Sequence, residues 1–180
     1  MSSQGGASAV RRADPSEFDA LADLEIAAGA RFAEIGFEFD DATPVARCGR
    51  TPAAVFVAGR PAVGFAWVEV LDGQAHLEEL AVLTEHGRAG LGRALVEAVA
   101  AWAGEAGYSG VTLATYRDVP WNGPFYARCG FAVVPRWRWT PGLRRIRRRE
   151  RRGGLDDLGA RVVMRRPTAG PTESTRRGGR

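Results

Sequence analysis

The 180-residue sequence contains no lysine, and all 25 of its basic residues are arginine. It has only two cysteines, Cys48 and Cys129, which lie far apart. This excludes a disulfide framework and a cysteine-based metal cluster, and it favours a reducing cytoplasm. No apolar run reaches the ~18–20 residues that a membrane-spanning helix needs, so we predict no membrane contact. The first ten residues are polar and lack the apolar segment of a secretory signal.

The net charge of +4 is unevenly distributed. Residues 1–135 carry 10 Arg against 17 Asp and Glu, whereas residues 136–180 carry 15 Arg against 4 Asp and Glu. Hydrophobic residues make up 45% of the chain, which is typical of a globular protein of one domain. We predict a flexible N-terminus over residues 1–8, one domain over residues 9–166, and a disordered basic tail over residues 167–180.

The first part of the chain predicts a helix followed by an antiparallel meander. Asp14-Pro15-Ser16-Glu17 has the pattern of a capped helix start. The predicted strands are residues 10–12, 54–58, 63–71 and 76–83. Asp72-Gly73 joins the last two and is typical of a tight hairpin turn.

The second part predicts a crossover. Apolar residues at helical spacing indicate a helix from residue 91 to about residue 104. Residues 111–115 form a strand that is reached through this helix and should therefore lie parallel to the strand at residues 76–83. Further predicted elements are a helix at 121–128, a strand at 131–134, a basic helix at 140–153 and a strand at 160–164. The fold class is α/β, with a mixed but mostly antiparallel sheet flanked by helices.

Residues 76–95 predict a strand, a glycine-rich turn and an amphipathic helix in succession. This arrangement directs backbone N–H groups and the positive end of the helix at one point, as a pyrophosphate site requires. Gly90 and Gly92 allow close backbone approach. A plain strand-to-helix connection is the alternative. A Rossmann site is disfavoured because Leu95 stands where the third glycine is needed.

The segment NGPFYARCGF at residues 122–131 places Tyr126 on a short helix that is followed by a glycine and an aromatic residue. Its hydroxyl group either faces a cleft or, as in many buried tyrosines, bonds to the backbone.

Together, and in this order, the two segments resemble the GNAT acetyltransferase superfamily over roughly residues 10–164. Residues 118–126 also resemble a bacterial subgroup with a DVPWNxPFY-type motif. The resemblance implies a sheet that is splayed between its fourth and fifth strands, acetyl-CoA as co-substrate, and no metal.

The phosphate-binding motif of the family, Gln/Arg-x-x-Gly-x-Gly/Ala, corresponds to residues 87–92. Gly87 departs from it at the first position, which removes one side-chain contact. The coenzyme contacts implied by the resemblance are the backbone amides of Arg88, Ala89, Gly90, Leu91, Gly92 and Arg93 for the diphosphate, the backbone of Leu80, Ala81 and Val82 for pantetheine, and Asn122 and Phe125.

Tyr126 matches the residue that often protonates the departing CoA thiolate in this family. The thiol pKa of about 8.5 makes such a donor useful. The amine must lose a proton before it attacks, and strand alternation places His76, Glu78 and Leu80 on one face. In one member of the family, two histidines at the positions of His76 and Glu78 relay that proton. We therefore expect Glu78 to be the base, assisted by His76, with Glu79 as the alternative if a bulge shifts the register.

The expected reaction is direct acetyl transfer to a primary amine of a small molecule or peptide in a ternary complex. Acidic residues after the first helix, namely Glu34, Glu38, Asp40 and Asp41, either attract a cationic amine or form a solvated surface. A CoA-binding module without turnover is one alternative function. Another is nucleic-acid binding through residues 144–152, but this run lacks interleaved aromatics and we take it for a solvated basic face. The sequence leaves a homodimer open.

Overall fold

The computed structural model describes residues 10–38 and 44–169. Its seven strands form one sheet in the order β1-β2-β3-β4-β5-β7-β6. The strands are β1 (Val10–Arg12), β2 (Ala54–Ala58), β3 (Gly64–Leu71), β4 (Gln74–Val82), β5 (Gly110–Tyr116), β6 (Ala132–Val133) and β7 (Arg161–Pro167). β4 and β5 are parallel, and the other neighbouring pairs are antiparallel.

Helices cover both faces of this sheet. They are α1 (Phe18–Gly29), α2 (Leu91–Glu105), α3 (Gly123–Arg128), α4 (Pro141–Arg152) and α5 (Leu155–Leu158). On one face, Leu21 of α1 packs in a cluster with Val57 and Trp67. On the other, Leu95 of α2 packs in a second cluster with Leu77. The α/β fold with a mixed sheet, predicted from the sequence, is confirmed.

The start of α1 follows the predicted capping pattern. Asp14 accepts the N–H of Ser16, and the Glu17 side chain accepts the N–H of Asp14 at 2.9 Å. Pro15–Glu17 form a single 3₁₀ turn that leads into α1. A second 3₁₀ segment, Ala30–Ile35, follows α1 directly.

β4 and β5 separate along their length. Their pairing is limited to Ala75 with Val111 and His76 with Thr112, and no further pair joins the two strands. The opening predicted between the fourth and fifth strands is therefore present, and it leaves the edge of β4 beyond His76 without a neighbouring strand.

A β-bulge interrupts the pairing of β3 with β4. Trp67 lies opposite Glu79, but the next residue, Val68, lies opposite Leu77, so Glu78 is the extra residue. The predicted alternation is wrong at this point, because Leu80 joins Leu77 against the α2-side core instead of sharing a face with His76.

Ordered structure continues slightly past the predicted domain end at residue 166. β7 includes Pro167, and the N–H of Thr168 donates to the Ser109 carbonyl oxygen at 3.3 Å. The predicted flexible N-terminus and residues 170–180 of the predicted tail lie outside the described residues, as do Asp40 and Asp41. Among the described helices, none has both the length and the apolar character needed to cross a bilayer.

Candidate active site

The loop before α2 presents a row of free amides. Arg88 and Gly90 adopt left-handed backbone conformations, with φ of 63° and 80°. In the part of the chain that the structure describes, the N–H groups of residues 88–93 have no hydrogen-bond acceptor. The first bond is that of Ala94, whose N–H donates to the Gly90 carbonyl at 3.0 Å. Six consecutive donors at the positive end of a 15-residue helix are the arrangement that anion binding requires.

Short contacts hold α3 between this loop and β5. A Cβ on Gly92 would lie 3.4 Å from Phe125, and a Cβ on Gly123 would collide with the Arg117 carbonyl oxygen. Asn122, which precedes α3, donates from Nδ2 to Thr115 Oγ1 of β5 at 2.9 Å. These contacts determine where α3 places its aromatic side chains.

Tyr126 of α3 is 7% exposed. Burial, followed by the negative charge of nearby Glu79, raises the pKa of Tyr126 well above its ordinary value. Its hydroxyl group forms no hydrogen bond with any described residue. The phenol is therefore neutral, and its proton is available to a ligand.

Glu78, at the bulge, is held by two arginines. Its Oε1 accepts from Arg50 at 2.6 Å and from Arg149 of α4 at 2.7 Å, and the side chain is 11% exposed. Burial alone would raise the pKa of Glu78. The hydrogen bond from Arg50 and the charges of Arg50 and Arg149 outweigh burial and hold the pKa below its usual value. A carboxylate stabilised in this way is a weak base.

His76 is buried at the point where β4 and β5 meet. It is 1% exposed, and its Nδ1 lies 2.9 Å from Thr112 Oγ1. The Thr112 hydroxyl donates to the Ala75 carbonyl at 3.2 Å, so we assign the imidazole proton to Nδ1. Burial lowers the pKa of His76, which favours the neutral ring. Its Nε2 lies 3.6 Å from Glu78 Oε2, beyond hydrogen-bonding distance.

Glu79 differs from Glu78 because no arginine forms an ion pair with it among the described residues. Burial, then the charges of Glu25 and Glu78, raises the pKa of Glu79. Burial likewise raises the pKa of Glu25 on α1, whose Oε2 accepts the N–H of Val45 at 2.8 Å. The negative charge of Glu25 on α1 thus makes Glu79 on β4 harder to ionise.

Glu25 is not among the residues predicted from the sequence, although a signal was present. Glu25 stands four residues after Leu21 and three before Ala28, and both are buried. A carboxylate at a position where the helical period requires an apolar residue indicates a special environment.

The arginine-rich run is partly structural, which corrects its interpretation as a solvated face. Arg147 is 4% exposed and donates to Asp156 at 2.6 Å and to Glu150. Arg151 also contacts Asp156, at 3.2 Å, and Arg149 contacts Glu78 as described above. These ion pairs use three of the seven arginines within the protein itself.

A cavity of about 290 Å³ lies at the end of β5. Most of its lining is apolar and includes Ile35, Phe37, Tyr116 and Val119, with Asp118 at the same cavity. Glu34 and Glu38, which were considered as attractors of a cationic amine, are exposed.

Residues 51–133 match the family profile described as Acetyltransferase (GNAT) domain. This stretch, slightly less than half of the chain, is similar to GNAT acetyltransferase domains. The loop at residues 87–93 (the phosphate loop), β4 and α3 all lie within the matched residues.

Solved structures share the GNAT fold along most of the chain. A GNAT-family acetyltransferase from Staphylococcus aureus superposes with a TM-score of 0.67 at 16% identity, over 88% of this chain and 98% of its own. The ribosomal-protein-S18-alanine N-acetyltransferase of Escherichia coli gives 0.62 at 19% identity, over 94% and 99%. The PaiA N-acetyltransferase of Thermoplasma acidophilum, solved with coenzyme A, gives 0.62 at 12% identity, over 88% and 98%.

Proposed function

We propose that the protein transfers the acetyl group of acetyl-CoA to a primary amine of a small molecule or peptide by direct attack in a ternary complex. The observation that carries this proposal is the opening between β4 and β5. The free amides of residues 88–93 lie at the start of α2, beside this opening. Tyr126, which is neutral, interacts electrostatically with Glu79, which has no arginine partner among the described residues.

The coenzyme would occupy this opening. Its diphosphate would bind the amides of residues 88–93, with Phe125 and Asn122 beside it. Leu80, Ala81 and Val82 pair with β3 on one side only. Their other edge is free to bond to the two amides of the pantetheine arm, as a further strand would.

Tyr126 would act as the general acid. The amine nitrogen attacks the thioester carbon, the carbon–sulfur bond breaks, and the phenolic proton passes to the departing thiolate. A buried phenol with no internal hydrogen bond remains protonated until that moment.

Glu79, rather than Glu78, would remove the proton from the attacking amine. The two arginines that bind Glu78 lower its basicity, whereas the environment of Glu79 raises it toward the range where a base works near neutral pH. Glu25 would contribute by keeping the pKa of Glu79 high. His76, buried and neutral, would position β4 and would not contact the amine.

The apolar cavity beside Tyr116 would hold the carbon part of the acceptor. Its lining offers little hydrogen bonding, so an amine with an apolar or aromatic group fits better than a sugar.

The test combines titration calorimetry with a thiol-release assay. We expect the protein to bind acetyl-CoA and to release CoA thiol only when an amine is added, from a panel of apolar amines, amino-acid amides and short peptides. Absence of acetyl-CoA binding would overturn the proposal. Binding without release for every amine would instead support a CoA-binding module without turnover.

A further inference from the structure

The phosphate loop has no side chain at its first motif position. A Cβ on Gly87 would lie 2.9 Å from the Thr84 carbonyl oxygen, so the loop cannot accept the Gln or Arg of the family motif without shifting. If the loop binds a diphosphate, a contact from another part of the chain must replace the missing one or the coenzyme must bind with fewer contacts.

Arg31, in the 3₁₀ segment that follows α1, stacks on an aromatic residue that precedes α3. Its guanidinium carbon is 3.8 Å from the centre of the Trp121 ring, and the neighbouring Phe32 meets that ring edge-on at 5.5 Å. Trp121 lies two residues before α3, and Phe125 of α3 would touch a Cβ on Gly92 of the loop. The stacking on Trp121 therefore places Arg31 on the segment that leads into α3, and α3 packs against the phosphate loop.

No counter-ion accompanies Arg31. Among residues 10–38 and 44–169, no carboxylate lies within 4.0 Å of its guanidinium, and no hydrogen bond involves it. Burial lowers the pKa of Arg31 and the positive charge of Arg88 adds to that effect, while Glu34 opposes it. Arg88, in the loop, has no ion pair in the described residues either. The positive charges of Arg31 and Arg88 therefore act on each other, and no ion pair among the described residues offsets either one.

We propose that Arg31 binds the diphosphate of coenzyme A from the α1 side of the sheet, and that it replaces the side-chain contact absent at Gly87. This inference rests on the proposed function, because it takes the coenzyme to be seated on the loop. Guanidinium is well suited to the role, since it can donate two parallel hydrogen bonds to a phosphate while it stacks on an aromatic ring. The Trp121 ring would hold it in place before the coenzyme arrives.

The test measures the Kd of coenzyme A and of dephospho-CoA by calorimetry for the wild-type protein, Arg31→Met and Arg31→Lys. Arg12→Met is the matched control, because Arg12 also stacks on aromatic rings, at 5.1 Å from Phe56 and 5.8 Å from Trp102, but belongs to β1. Turnover of S-acetylpantetheine, which lacks the diphosphate, reports whether each variant is still folded and active.

We expect Arg31→Met to weaken both coenzymes about tenfold or more, as loss of a charged hydrogen bond implies. Arg31→Lys should recover part of the loss, while Arg12→Met and S-acetylpantetheine turnover should be unaffected. Equal affinity of Arg31→Met and wild type for coenzyme A would overturn the inference and leave the proposed function intact. A loss seen with coenzyme A but not with dephospho-CoA would also overturn it, because the contact would then be to the 3′-phosphate. Failure of the wild-type protein to bind either coenzyme would instead defeat the proposed function itself.

Discussion

The two ends of the β4–β5 opening are built in opposite ways. At the end next to α2, the free donors are backbone amides of six consecutive residues, 88–93. Around the β4 bulge, the charged groups are side chains from five separate segments: Glu25, Arg50, Glu69, Glu78 with Glu79, and Arg149. An anion can thus be bound by one local backbone conformation, whereas acid–base chemistry requires charges that only the complete fold brings together.

Removing the Tyr126 hydroxyl should have the largest effect. Tyr126→Phe deletes the proton donor but keeps the ring that packs between Phe125 and Phe131. We expect kcat to fall about 100-fold or more, with the Kd of acetyl-CoA unchanged. Stopped assays of thiol release together with calorimetry would check this, and an unchanged kcat would remove Tyr126 from the acid role.

Glu78 and Glu79, the two adjacent carboxylates of β4, should respond differently to substitution. Glu79→Gln removes the proposed base, so kcat/KM should fall on the order of 100-fold. Glu78→Gln, its matched control one residue away, should cost only a few-fold because that carboxylate is already bound by arginines. The reverse order of the two losses would assign the base to Glu78.

Glu25→Gln should change the pH profile more than the maximal rate. The base must be ionised, so kcat/KM of the wild type rises with pH through the raised pKa of Glu79. Removing the negative charge of Glu25 lowers that pKa, and the acidic limb should move to lower pH. The variant should therefore be several-fold more active than the wild type on the acidic side, with a similar plateau. If the acidic limb of kcat/KM lies at the same pH in the variant and the wild type, the charge of Glu25 does not affect the pKa of Glu79.

The smallest effect on turnover, but a measurable effect on stability, should come from Glu78→Gln. The folded pKa of Glu78 lies below its unfolded value, so its ion pairs stabilise the protein at pH 7 and lose that contribution as the pH falls through the folded pKa. We expect a loss of about 1–2 kcal/mol in the free energy of unfolding at pH 7. Urea titrations at pH 7 and near pH 3.5 should show that the difference in free energy of unfolding between the variant and the wild type becomes smaller at the lower pH.

Most of the fold could be predicted from the sequence because its signals are local. The capping box at Asp14, the hairpin at Asp72-Gly73 and the glycine turn before α2 each lie within a few residues. The bulge at Glu78 could not be predicted in this way, since it is a property of the pairing between two strands and both glutamates suit either register. The contacts of Arg50 and Arg31 could not be predicted either. Arg50 binds Glu78, which is 28 residues away in sequence, and Arg31 stacks on Trp121, which is 90 residues away.

The junction of β4 and β5 has a mechanical consequence. Among the described residues, β4 and β5 pair only through Ala75 with Val111 and His76 with Thr112, and the buried His76–Thr112 contact lies where the two strands begin to separate. Because the two strands diverge from this point, we expect a change of side-chain volume at Thr112 to alter the width of the opening toward Tyr126 and Glu79. The packing of His76 against Thr112 should thus set how far β4 and β5 separate several residues away.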